Sequence, residues 1–128
     1  MVQTLLKNAN VVLSTLNGAA SRVLQFEEFD TVLIDEASQA LEAESWIAAL
    51  KAKRLILAGD HMQLPPTIKS TFKVKLKNGK STSLETTLID RLLKMYGGSV
   101  KRLLDTQYRM VSVTVHMIHV LMHSNGKY

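Results

Sequence analysis

Apolar residues along the chain fall into three short runs and several longer periodic stretches. The short runs occupy residues 10–15, 29–34 and 54–58, and each ends in small or polar residues. The second and third are almost unbroken in apolar character, which predicts strands of a parallel sheet covered on both faces. Between them, in residues 39–53, Ala40, Leu41, Ala43, Trp46, Ile47, Ala49 and Leu50 form a wide apolar stripe at helical spacing. Strand, helix and strand in this order predict a right-handed crossover unit.

Further along, Leu84, Leu88, Ile89, Leu92 and Leu93 share one face of a helix expected over residues 84–96, closed by Gly97-Gly98. Residues 100–104 predict another strand. Residues 113–123 are apolar and fit a strand or a helix equally. No internal repeat interrupts this order. The fold class is α/β, a parallel sheet flanked by helices.

Composition narrows the class. The chain has 128 residues, is 46% hydrophobic and 21% charged, and is therefore globular rather than disordered. It has no Cys, which excludes disulfide scaffolds and thiolate zinc sites. No apolar run approaches the roughly 18 residues of a membrane span. The first residues lack the basic-then-apolar pattern of a secretory signal. The expectation is an intracellular protein of the cytoplasm, the nucleus or both, with no membrane contact.

Charge adds a feature that the apolar pattern does not show. The net charge is +5, and residues 67–83 carry all of it through Lys69, Lys73, Lys75, Lys77 and Lys80 with no acidic residue. The rest of the chain sums to zero. Alternation through Phe72, Val74 and Leu76, followed by Asn78-Gly79, predicts a hairpin with a two-residue turn. Its lysines either keep an edge hairpin soluble or contact phosphates of a polyanion.

The candidate chemistry lies where the strands end, since ligands of open α/β sheets bind beyond the carboxyl ends of the strands. Ser14, Thr15, Asn17 and Gly18 follow the first run, in what reads as a small-residue turn. Asp35-Glu36 follows the second, and Asp60 and Gln63 follow the third. A buried strand running into two carboxylates invites a hard cation such as Mg²⁺, which needs one or two carboxylates and keeps several waters. The adjacent Glu would then act on a water as general base. The competing reading is that Asp35 or Glu36 favours the dipole of the following helix. His116, His119 and His123 would share one face if their segment were helical, as a solvated face more readily than a metal site, with no Cys or carboxylate beside them.

Three segments in order, Asp35-Glu-Ala-Ser-Gln-Ala-Leu-Glu42, Gly59-Asp-His-Met-Gln-Leu-Pro-Pro66 and Gln107-Tyr-Arg-Met110, carry a resemblance. Together they resemble the superfamily 1 helicases, in the 5′-to-3′ branch that contains the nonsense-mediated-decay and immunoglobulin mu-binding helicases. The resemblance implies a RecA-like, P-loop NTPase sheet using ATP and Mg²⁺. It implies Asp35 as the Mg²⁺ ligand through water, Glu36 as catalytic base and Gln63 as γ-phosphate sensor. It implies Tyr108 stacked on adenine and Arg109 as arginine finger, with Asp60 beside the nucleotide. Its nucleic-acid contacts would be Ser14, Thr15, Asn17, Gly18, Pro65 and Pro66 on single-stranded DNA or RNA, the two prolines being equally readable as a rigid turn. A guanidinium suits the Arg109 role because it holds phosphate oxygens in two places.

The phosphate-cradling Gly-x-x-x-x-Gly-Lys-Ser/Thr loop does not occur in these 128 residues. The expectation is therefore a section of an ATP-dependent helicase motor. Residues 1–83 would close a first RecA-like domain, with a basic insertion at 67–83, and residues 84–128 would lead into a second. Such a section would be inactive without the remainder of the motor. The alternative is a non-catalytic remnant that still binds nucleic acid or protein. After Met110 the sequence departs from the family pattern, with Val111-Ser112 in place of His-Pro.

Overall fold

The computed structural model describes residues 2–60, 64–68, 74–75, 81–82, 84–104 and 117–123. Two parallel strands organise it. Strand β1 (Phe29–Ile34) pairs in parallel with β2 (Ala52–Gly59), and helix α3 (Glu42–Ala49) connects them. The register sets Val32 opposite Leu55 and Ile34 opposite Leu57, so these four side chains line one face of the pair. Helices α2 (Leu16–Ala19), α3 and α4 (Leu88–Tyr96) bring Ala19, Ala48, Ala49, Leu88, Ile89 and Leu92 into the same cluster. Leu57, Leu88 and Ile89 have no solvent exposure.

The fold is α/β, but one of the three strand pairings in its four-stranded sheet is parallel and two are antiparallel. Its order is β1-β2-β6-β5, with β6 (Met117–His123) antiparallel to both β2 and β5 (Lys101–Leu104). The ambiguous segment at 113–123 thus supplies a strand. His119 and His123 sit opposite Ala58 and Arg54 in its ladder, not at helical spacing. His116 lies outside the described residues.

Coverage on both faces is not realised at β1. On the face opposite the helices Leu33 is 58% exposed, and Thr31 and Arg54 are exposed beside it. Residues 11–15 carry no strand pairing, contrary to expectation, and Val11 and Leu13 stand 75% and 92% exposed. Apolar alternation favours an extended chain, but a strand exists only where its amides join a ladder. Here the segment and β1 border a groove of about 440 Å³ instead.

Helix ends follow their caps. Thr87 and Asp90 form a reciprocal capping box, so α4 starts at Leu88 and leaves Leu84 outside the helix, 47% exposed. Gly97, at φ 60°, closes it as its sequence position predicts. Helix α3 is shorter than its stripe because residues 35–40 form turns and β2 already begins at Ala52. Within the stripe Trp46 is 43% exposed, and Leu50, at the C-cap, is 79% exposed. The Trp46 indole donates to Glu42 Oε1 at 3.1 Å, and Arg91 Nε lies 2.7 Å from the same oxygen, tying α3 to α4. Lys51 Nζ donates to the carbonyls of Leu24 and Gln25, at 2.6 and 3.2 Å, holding the loop before β1. Helix α1 (Val2–Asn8), not foreseen in the sequence, buries no residue.

Strands β3 (Val74–Lys75) and β4 (Ser81–Thr82) pair antiparallel, as a hairpin requires. Lys75 sits opposite Ser81, so an odd number of residues separates the pair. A two-residue turn at Asn78-Gly79 would instead set Lys77 opposite Lys80.

Candidate functional site

Parallel β1 and β2 end side by side, and the candidate chemistry follows from how each one stops. Strand β1 terminates in the buried Ile34, and the chain emerges at Asp35 and Glu36, both exposed. Sequence reasoning expected these carboxylates to need a cation because of burial. Their exposure removes that cost, and water solvates them. Neither caps the following helix: Leu41 occupies the cap position of α3, and its first-turn acids are Glu42 and Glu44.

The turn that carries the two carboxylates is tightly constrained. Glu36 adopts φ 51°, the left-handed region, and is the one non-glycine residue with positive φ among those described. For a residue with a Cβ this costs about 1–2 kcal/mol. The Glu36 amide donates to Asp35 Oδ1 at 3.0 Å, and the Gln39 amide closes the turn on the Glu36 carbonyl at 2.9 Å. Ala37, fully buried, donates its amide to the Ala58 carbonyl at 2.8 Å, fastening the turn to the end of β2.

Gly59 makes that fastening possible. A Cβ there would stand 3.0 Å from both the amide nitrogen and the hydroxyl oxygen of Ser38, and 3.3 Å from the Ala37 nitrogen. The Ser38 hydroxyl is buried and has no hydrogen-bond partner among the described residues. Asp60 follows directly, half-buried, so a third carboxylate sits where β2 ends.

The segment that borders the groove ends in two hydroxyls, Ser14 and Thr15. Thr15 caps α2 by accepting from the Gly18 amide at 3.0 Å, and Ser14 Oγ donates to the Thr15 carbonyl at 2.9 Å. The expected small-residue turn is therefore a short capped helix. A Cβ on Gly18 would fall 2.4 Å from Ser14 Oγ, so any side chain there would have to turn the Ser14 hydroxyl aside. Ser14, Thr15 and Asn17 are exposed. Pro65 is exposed and Pro66 buried.

The structure thus brings Asp35, Glu36 and Asp60 to the ends of adjacent strands. Gln63, Tyr108, Arg109, Lys69, Lys73, Lys77 and Lys80 lie outside the described residues, and Lys75 is placed only as backbone of β3. Sequence reasoning gave no role to Gln39, whose side-chain nitrogen donates to Glu36 Oε2 at 3.1 Å. Its signal was spacing alone, three residues beyond Glu36 across a turn. Among the described residues no group of three His, Cys, Asp or Glu side chains is arranged to hold a metal by itself. No helix among them is long and apolar enough to cross a membrane.

Comparison with known proteins adds a family to this geometry. A family model described as "AAA domain" matches residues 1–71. The chain is 45% identical over 106 residues to the DNA-binding protein SMUBP-2 of Mus musculus, covering 80% of this chain and 10% of that protein. It is 43% identical over 109 residues to the DNA polymerase alpha-associated DNA helicase A of Schizosaccharomyces pombe, covering 85% and 15%. It is 43% identical over 107 residues to the ATP-dependent helicase upf1 of the same yeast, covering 83% and 11%. The chain thus spans between 10% and 15% of the length of these relatives. With an α/β architecture that agrees with a RecA-like sheet, and with carboxylates at the ends of its parallel strands, the chain belongs to the AAA-domain family, in the superfamily 1 helicase group of these proteins.

Proposed function

We propose that the chain is a section of an ATP-dependent DNA or RNA helicase motor that couples Mg-ATP hydrolysis to movement along a single strand. The observation that carries this reading is the exposed Asp35-Glu36 pair, presented on a strained turn fastened to the neighbouring strand end. The donor set is all oxygen, which suits a hard cation. Asp35 would hold Mg²⁺ through water with the oxygen that does not accept the Glu36 amide. Bound Mg²⁺ supplies positive charge against the phosphates. Glu36, beside it, takes the proton of the attacking water. In this reading Gln63 and Arg109 contact the γ-phosphate, Tyr108 stacks on the adenine, and residues 1–83 and 84–128 belong to successive motor domains.

Ser14, Thr15, Asn17 and Gly18 meet the nucleic-acid backbone, a role that suits exposed hydroxyls beside a residue without a side chain. Pro65, which is exposed, and the lysines of residues 67–83 extend the same contact, whereas Pro66 is buried and so is not offered to a bound strand.

The test is a pair of measurements on the motor containing this segment. Glu36→Gln is expected to lower ATP turnover by roughly a hundredfold or more while Mg-ATP still binds. Turnover at the unsubstituted rate overturns the assignment. The 128-residue chain alone is expected not to hydrolyse ATP, and Mg²⁺-dependent turnover by it would overturn that part.

A further inference from the structure

We infer that Gln39 is a positioning residue for the Glu36 carboxylate; the inference rests on the reading of Glu36 as the general base. Gln39 meets Glu36 twice, through its backbone amide on the Glu36 carbonyl at 2.9 Å and through Nε2 on Oε2 at 3.1 Å. The first contact sets the left-handed turn. The second acts on the carboxylate itself, which would otherwise sample many rotamers at an exposed position.

The chemistry of the donor matters as much as its place. A lysine or arginine here would hold the carboxylate equally well, but its charge would weaken the base. A neutral amide orients one oxygen and adds no charge, leaving Oε1 to receive a proton. The buried Ala37 and the Ala58 carbonyl keep the backbone beneath from following the side chain as it moves. The strain at Glu36 thus maintains a direction for the side chain, and Gln39 completes it.

Gln39→Met preserves length and removes the amide. In the motor containing this segment it is expected to lower kcat about three- to tenfold, with KM for ATP and the melting temperature unchanged. Combined with Glu36→Gln, it should lower the rate no further, because Gln39 acts through Glu36. A readout without turnover comes from the ¹H–¹⁵N spectrum of the same protein. The Gln39 side-chain amide pair, identified by its loss in Gln39→Met, should shift in Glu36→Ala and stay in place in Glu42→Ala. Full kcat in Gln39→Met beside an inactive Glu36→Gln overturns the positioning role and leaves the base standing. A fall in melting temperature parallel to the fall in kcat also overturns it, in favour of a structural role. Wild-type turnover in Glu36→Gln removes the base, and the positioning role with it.

Discussion

Replacing Gly59 by Ala tests how the candidate site is held. The new Cβ would stand 3.0 Å from the Ser38 nitrogen and hydroxyl oxygen and 3.3 Å from the Ala37 nitrogen. Two of these atoms are backbone, so rotating a side chain cannot make room. The turn has to lift by a few tenths of an ångström, and overpacking of this kind costs about 1–3 kcal/mol. Lifting it also stretches the 2.8 Å bond from the Ala37 amide to the Ala58 carbonyl, worth about 1 kcal/mol. The two costs add to about 2–4 kcal/mol, a fall in melting temperature of roughly 7–15 °C for a chain of this length. Circular dichroism melts read this directly. Gly98→Ala is the internal control, since its Cβ would meet nothing within 4 Å among the described residues. It should be neutral or gain up to about 1 kcal/mol from the stiffer unfolded chain. A Gly59→Ala protein that melts with Gly98→Ala and wild type would refute the proposed close approach of the turn to β2.

Ser45 lies on α3 with no exposure and no partner for its hydroxyl among the described residues. Ser45→Ala should therefore raise stability, by about 1 kcal/mol from removing an unsatisfied group and improving helix propensity, and a lower midpoint in urea would contradict this. Changing Lys69, Lys73, Lys75, Lys77 and Lys80 together to Gln should weaken single-strand binding by the motor. Each lost phosphate contact should flatten its salt slope by roughly 0.7. An unchanged slope would place the hairpin off the nucleic-acid track.

The two parallel strands and the helix between them were legible because burial on one face leaves a strong apolar signature, as at Ile34, Leu55 and Leu57. The start and stop of α4 were written less plainly. Leu84 continues the apolar face, and only the Thr87–Asp90 capping box shows that the helix begins after it. Residues 10–15 have the apolar content of a strand but form none, because a strand depends on a partner that local sequence does not reveal. Residues 117–123 had no helical or strand period to decide between them; the ladder with β2 and β5 decides it.

At the site, residue identity and order point to Asp35 and Glu36, but their exposure means that burial is not what would draw a cation there. The left-handed Glu36 and the role of Gly59 follow from three-dimensional approach and have no one-dimensional signature.

The link between α3 and α4 has a spectroscopic consequence. Trp46 is the one tryptophan in the sequence, and its indole N–H shares Glu42 Oε1 with Arg91. Arg91 is half-exposed, so this ion pair adds only about 0–1 kcal/mol to stability. Its optical value is greater. Any movement that draws α4 from α3 changes the charge beside a single half-exposed indole, whose emission is a built-in gauge of the junction and needs no attached dye.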